Sequence, residues 1–185
     1  MKQYDNTYFK DVSLKEINKF ISKNYKKLIG SAIFTKNNSF VSKIVSWAES
    51  MGDKYQIFIP SHTGSIIEYN YTLYLFDMKP PKATMQPLTD YLLNTKDEFE
   101  LVIRDFDLDT KMFSANIAYH NGEFYPYLSA LRSVLTKRNT KWVRHCSELH
   151  LRELQKQNLF LDVNPEITPK ELYDLLIYQG GNCEN

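Results

Sequence analysis

The sequence is poor in cysteine, with two in 185 residues, and poor in glycine, with six. Two cysteines do not make a disulfide framework. Cys183 sits in the tail QGGNCEN and Cys146 inside a patterned segment, so no bridge between them is indicated. No apolar run approaches the roughly 20 residues of a membrane-spanning helix. The opening MKQYDNTYFKDVS has no apolar stretch after its lysine, which excludes a secretory signal on this reading and makes a reducing compartment the default. An excess of one charge sign is also missing. Lys and Arg number 23 against 22 Asp and Glu, a net charge of +1 that leaves no electrostatic footprint for nucleic acid or an anionic membrane. Internal repeats, low-complexity tracts and linkers are absent. Aromatics are plentiful, with thirteen tyrosines, and point to an aromatic-rich core with few tight glycine turns. Length and composition fit one globular domain of ordinary size.

Local patterns give an α+β reading. Residues 13–28 have a capping box, Ser13-Leu14-Lys15-Glu16, then apolar residues at helical spacing, with Gly30 ending the helix. SAIFT (31–35) reads as a strand. Ser39 caps a second expected helix that runs to Gly52. After the Tyr55–Ile59 stretch and Pro60, HTGSIIE (62–68) and TLYLFDM (72–78) read as paired strands, broken by Pro80-Pro81. Leu88–Leu93 reads as one or two helical turns and EFELVIRDF (98–106) as a strand. His120-Asn121-Gly122-Glu123 is a turn. Tyr127–Leu135 and Trp142–Leu154 read as helices, and Thr168-Pro169-Lys170-Glu171 opens a last one. Helices come first, antiparallel strands in the middle, and helices again at the end.

The chemistry worth weighing is His62 with Cys146. A thiol attacks as thiolate, so its free pKa of about 8.5 must be lowered, by a helix N-terminus or by an adjacent imidazolium. Cys146 falls near the start of the expected 142–154 helix. His62 opens a strand after Pro60, where its ring can face that helix. A third polar group should orient the imidazole. Asp77 and Glu68 both lie near strand ends close to His62, and spacing does not choose between them. On base rates, a lone cysteine on an apolar helix face is a small core residue. Cys146, His145 and His150 also have ligand-like spacing, but without CxxC or HExxH no metal is expected. The rim of the site or solvent is the expected place for His145 and His150. Asp105, Asp107 and Asp109 lack the Gly and Glu that a calcium loop needs at its sixth and twelfth positions, so an exposed ribbon is expected there. No cofactor is called for.

The residues then add up to a resemblance. Ile29-Gly30-Ser31-Ala32-Ile33 followed by Asn38 to Trp47 resembles an opening strand and helix. Pro60-Ser61-His62-Thr63-Gly64 resembles a histidine-bearing strand, His145-Cys146-Ser147-Glu148-Leu149 a nucleophile-bearing helix start, and Ile167-Thr168-Pro169-Lys170-Glu171-Leu172 a closing segment. In this order they are similar to the circularly permuted NlpC-type cysteine hydrolases of papain-like fold, the YiiX-like group, which are related to lecithin retinol acyltransferase. The resemblance spans about residues 28–177, leaving 1–27 as an N-terminal helical extension and 178–185 as a tail of one permuted domain.

It implies a papain-like, circularly permuted α+β fold with a central antiparallel sheet packed against helices. It implies Cys146 as nucleophile and His62 as base. Leu75-Phe76-Asp77-Met78 matches the phrase that carries the third residue, which makes Asp77 the preferred orienter and Glu68 the alternative. The chain departs from the family at Ser31, where Asp is usual, and at Asp77, where Glu or His is usual. The activity the resemblance implies is hydrolysis of an amide bond, with a cell-wall peptide as one candidate substrate and a thioesterase or acyltransferase also within the family's range. The implied partner is a peptide or acyl substrate, and no nucleic acid. Without a secretory signal, a cytoplasmic or virion-associated place is expected. The alternative reading is an inactive papain-like binding or structural module, for example a phage virion component.

Overall fold

A computed structural model describes residues 2–5, 7–36, 60–79, 81–124 and 146–178. The expected helix after Ser39, the Tyr55–Ile59 stretch, the expected helix at Tyr127–Leu135, His145 and Cys183 lie outside the described residues.

The chain runs β1 (Lys2–Asp5), α1 (Leu14–Leu28), β2 (Ala32–Lys36), β3 (His62–Tyr69), β4 (Thr72–Lys79), β5 (Lys82–Pro87), α2 (Leu88–Asn94), β6 (Glu98–Ile103), α3 (Thr110–Ala118), α4 (Cys146–Gln155) and α5 (Pro169–Tyr178). The strands form one six-stranded sheet in the order β1-β6-β2-β3-β4-β5. Every neighbouring pair is antiparallel. The protein is α+β, with helices on both faces of an antiparallel sheet. Among the described residues no helix is long and apolar enough to cross a membrane.

Strand alternation divides the apolar side chains between two cores. On one face Ile33, Ile66, Leu75, Phe99 and Leu101 meet Ile17, Phe20 and Leu28 of α1 and Leu88 and Leu92 of α2. On the other, Phe34, Ile67, Phe76 and Val102 meet Phe113 of α3, Leu149 and Leu154 of α4, and Leu172 and Leu176 of α5. Both cores are closed by fully buried side chains, each contributing about 1.5–3 kcal/mol by leaving water.

The helix starts follow their caps. The Ser13 N–H donates to Glu16 Oε2 at 2.9 Å and the Glu16 N–H to Ser13 Oγ at 3.4 Å, which satisfies donors that the first turn of α1 leaves open. The same exchange between Thr168 and Glu171, at 2.8 and 3.2 Å, starts α5. At the other end of α1, Gly30 takes φ +82°, and a Cβ there would fall 2.2 Å from the Leu108 side chain. Ser31 Oγ–H donates to the Lys27 carbonyl at 2.6 Å and accepts the Arg104 N–H at 3.0 Å. The buried Arg104 guanidinium donates to the carbonyls of Ile29 at 2.5 Å, Lys26 at 2.7 Å and Phe106. Ser31 and Arg104 thus tie the end of α1 to β6.

Three elements depart from the sequence reading. β1 is a four-residue polar edge strand paired with β6, so the segment before residue 28 completes the sheet and supplies α1 to the core. β5 follows the double proline as an edge strand with little apolar alternation to announce it. The expected strand through Phe106 ends at Ile103, and Asp105–Asp109 is not a ribbon. Asp109 instead caps α3, its Oδ1 accepting the N–H groups of Lys111 and Met112 at 3.1 and 3.0 Å.

Candidate active site

β3 brings the first functional side chain. His62 is its opening residue, paired with Thr35 of β2. Alternation puts His62 and Gly64 on the same face of the strand, and Gly64 stands directly across from Asp77 of β4. His62 and Asp77 are therefore diagonal neighbours on one face, within reach of long side chains. His62 Nε2 hydrogen-bonds Asp77 Oδ1. The second carboxylate oxygen, Oδ2, accepts from Lys79 Nζ at 2.8 Å. Asp77 is buried, and the shorter acid reaches the ring because the diagonal register brings it close.

Cys146 lies in the first turn of α4 as described and is buried at the edge of the core. Its sulfur hydrogen-bonds His62 and accepts the backbone N–H of Thr63. With Nε2 taken by Asp77, the remaining ring nitrogen, Nδ1, is the one left for sulfur. The Thr63 donor has a simple origin. The Ile66 N–H points toward β2, at 2.9 Å from the Ser31 carbonyl, so alternation turns the Thr63 N–H toward β4. The β3–β4 ladder begins only at Gly64↔Asp77, which leaves that N–H without a strand partner. The thiol takes it.

Electrostatics follows from these contacts. Burial by itself disfavours every charge here. Around His62 it is outweighed by the Cys146 sulfur and the Asp77 carboxylate, which push the imidazolium up to about 10. Burial would raise the Asp77 carboxyl, but His62 and Lys79 bring it down to about 2. Burial likewise opposes the Cys146 thiolate, while the His62 charge, its hydrogen bond and the Thr63 N–H together hold the thiol below its ordinary value. The arrangement favours a thiolate–imidazolium pair over a neutral thiol and imidazole.

The other residues singled out in the sequence lie elsewhere. Glu68 shares the His62 face of β3 but stands six residues along it, roughly 20 Å away at the rise of an extended strand. Its carboxylate hydrogen-bonds the Tyr25 hydroxyl, and its backbone N–H donates to Ser114 Oγ at 3.0 Å. Glu68 is not an orienter of His62. His150 is not at a wet rim: it is fully buried, with Nδ1 at 2.8 Å from Ser65 Oγ and its ring edge-on to Phe113 at 5.4 Å between centroids. Burial lowers its pKa to about 4. Among the described residues no three His, Cys, Asp or Glu side chains gather as a metal-binding group.

The remaining residues of the Cys-Ser-Glu-Leu phrase are structural. Ser147 Oγ–H donates to the Ile167 carbonyl at 2.6 Å, fastening α4 to the lead-in of α5. Glu148 pairs with Arg152 at 2.7 Å one turn on, and Leu149 enters the core. Sequence reasoning missed two participants. Thr63 acts through its backbone, which no side-chain pattern announces. Lys79 was readable in principle, since two residues along a strand from Asp77 is the same face.

No family model matches the chain, and no curated protein matches it.

Proposed function

We propose that the protein is a cysteine hydrolase of papain-like, circularly permuted architecture that cleaves an amide bond, with a peptide as substrate. The reading is carried by one observation: the buried series Cys146–His62–Asp77, in which the imidazole stands between the sulfur and the carboxylate. The order of the chain supports it too, with the histidine strand preceding the cysteine helix, as in the permuted group that the sequence resembles.

In this reading the Cys146 thiolate attacks the carbonyl carbon and forms a C–S bond. The carbonyl π pair moves to oxygen, where backbone N–H groups in the first turn of α4 are the donors at hand. A donor of this kind is worth about 3–4 kcal/mol in the transition state. As the intermediate collapses, the C–N bond breaks and the His62 imidazolium gives its proton to the departing amine. Water then attacks the acyl-enzyme and gives a proton to His62. The second intermediate collapses, the C–S bond breaks with its electron pair going to sulfur, the carboxylic acid leaves, and the thiolate–imidazolium pair is restored. Asp77 stays ionised throughout and keeps Nδ1 of the ring turned to sulfur.

Alkylation by iodoacetamide near pH 6 tests the reading. Cys146 is expected to label much faster than Cys183, by on the order of a hundredfold given how little of an ordinary thiol is ionised at that pH. His62→Ala should abolish the difference. Equal, slow labelling of both cysteines would support a non-catalytic module instead.

A further inference from the structure

We infer that Lys79 is a positioning residue of the site, holding the Asp77 carboxylate in the orientation that serves His62 and extending the catalytic series to four residues. The inference rests on the hydrolase reading above.

The geometry is specific. A carboxylate has two oxygens, and at Asp77 each has its own cationic partner. Oδ1 meets His62, and Oδ2 meets Lys79 Nζ at 2.8 Å. With both oxygens engaged, rotation about the Cβ–Cγ bond would break two interactions at once, so the plane of the carboxylate is fixed. Lys79 Nζ also lies 4.0 Å from Asp97 Oδ2, a looser ion pair. Its ammonium thus has two carboxylates near it, the buried Asp77 and the more exposed Asp97, with Asp77 the closer. The side chain is 29% exposed, against 7% for Asp77, so it brings a partly hydrated charge to a buried one.

Charge balance gives Lys79 a second effect. Thiolate, imidazolium and Asp77 carboxylate together carry one net negative charge in a buried place. Lys79 cancels it. A cation there also favours loss of the thiol proton, because the anion that forms is closer to neutral surroundings. The charged and titratable groups that face this centre are His62 from β3, Lys79 from β4, Cys146 from α4, Tyr91 from α2, Asp97 ahead of β6, and Lys82, which pairs directly with Lys79 across the β4–β5 ladder. Of the lysines, Lys79 alone is paired to Asp77 among the described residues. The role differs from that of an ordinary surface ion pair, which would leave the reactivity of a cysteine on another element untouched.

The test is the pH dependence of Cys146 alkylation by iodoacetamide in the full chain, comparing the unsubstituted protein with Lys79→Met, Lys79→Arg and His62→Ala. Lys79→Met should move the acid limb of the profile up by about one pH unit and slow labelling at pH 6 roughly tenfold. Lys79→Arg, which keeps the charge, should restore the limb. Thermal melting and near-ultraviolet circular dichroism check that each variant is folded, and Lys79→Gln serves as the second neutral variant. A Lys79→Met profile that superimposes on the unsubstituted one overturns the inference while leaving the hydrolase reading intact. Failure of both neutral variants to fold marks Lys79 as a structural residue and overturns it as well. If His62→Ala labels as fast as the unsubstituted protein, the hydrolase reading itself fails, a distinct result.

Discussion

His62 and His150 are both buried, and both sit against β3: His62 belongs to the strand, and His150 reaches it from α4 through Ser65. Burial works against the imidazolium in each case. The outcomes are opposite, with His62 pushed up to about 10 and His150 down to about 4. The difference lies in the neighbours. His62 has a thiol that ionises beside it and a carboxylate on its other nitrogen. His150 has a hydroxyl and the edge of Phe113, and its Nε2 has no hydrogen-bond partner among the described residues. Depth of burial does not decide what a buried histidine is for; the charge available to meet it does.

The hardest blow to the contrast is to give His62 surroundings like those of His150. Asp77→Asn keeps the shape of the orienting group but removes its charge. The imidazolium then loses its fixed partner, and the thiolate loses the cation that stabilises it. Labelling of Cys146 at pH 6 is expected to fall on the order of a hundredfold, the equivalent of about two pH units. The alkaline limb of the rate profile should also move down from near 10. Rapid-mixing alkylation across pH reads both. An unchanged profile would mean that Asp77 only fills space.

His150 offers the next largest effect, in stability. In the folded chain it protonates only near pH 4, whereas in the unfolded chain it does so near 6.5. Between these values the unfolded state binds more protons, so stability falls as pH drops from about 6.5 to about 4, with a slope approaching 1.4 kcal/mol per pH unit. Asp77 does not disturb this window, because its carboxyl stays ionised above about 4 in both states. Replacing His150 by Leu together with Ser65→Ala, so that no hydroxyl is stranded, should remove the His150 share of the dependence and leave the share of Cys146, whose thiol is also held below its ordinary value in the folded chain. Urea unfolding at a series of pH values measures it.

The converse change is smaller. Ser65→Asp would place a carboxylate where Nδ1 of His150 now meets a hydroxyl at 2.8 Å. The pKa of His150 should rise from about 4 by roughly one to two units, as for an imidazole gaining an anionic partner. Titration of the ring resonances by nuclear magnetic resonance would show it. No rise would mean that the pocket holds no room for the paired geometry, and that neighbouring charge is not the sole difference between the two histidines.

How much of this was legible in the chain follows from where each signal lives. His62 and Cys146 were readable as a strand start and a helix start, which are local patterns, whereas Asp77 was preferred to Glu68 only through the family resemblance; the structure brings these three together. The caps of α1 and α5 were legible for the same reason. β1 and β5 were not, because edge strands need little apolar alternation and carry polar residues that read as loop. α3 was hidden behind the Asp105–Asp109 spacing, whose last aspartate is an N-cap. The depth of His150 was beyond local pattern altogether. Ser65 and Phe113, which enclose it, come from other elements, and the polar look of His-Leu-Arg-Glu suggests solvent. Ser31, a departure from the resembled family, has its own local task at the end of α1.

Glu68 supplies the smallest expected effect and the sharpest control. It lies on the same face of the same strand as His62, and in the sequence it stood beside Asp77 as an acid near a strand end, with spacing unable to choose between them. Register separates them: Asp77 is diagonal to His62 across one ladder, while Glu68 is six residues along and hydrogen-bonded to Tyr25 of α1. Glu68→Gln removes the charge but keeps an acceptor for the Tyr25 hydroxyl. The alkylation profile of Cys146 should stay within about twofold of the unsubstituted one at every pH. Stability should fall by about 1 kcal/mol or less, the worth of one weakened hydrogen bond. The Tyr25 hydroxyl, now held up by burial and by the Glu68 charge, should ionise at lower pH in the variant, which ultraviolet absorption would follow. A displaced acid limb in Glu68→Gln would place this carboxylate in electrical contact with the thiol, against the spacing of the strand.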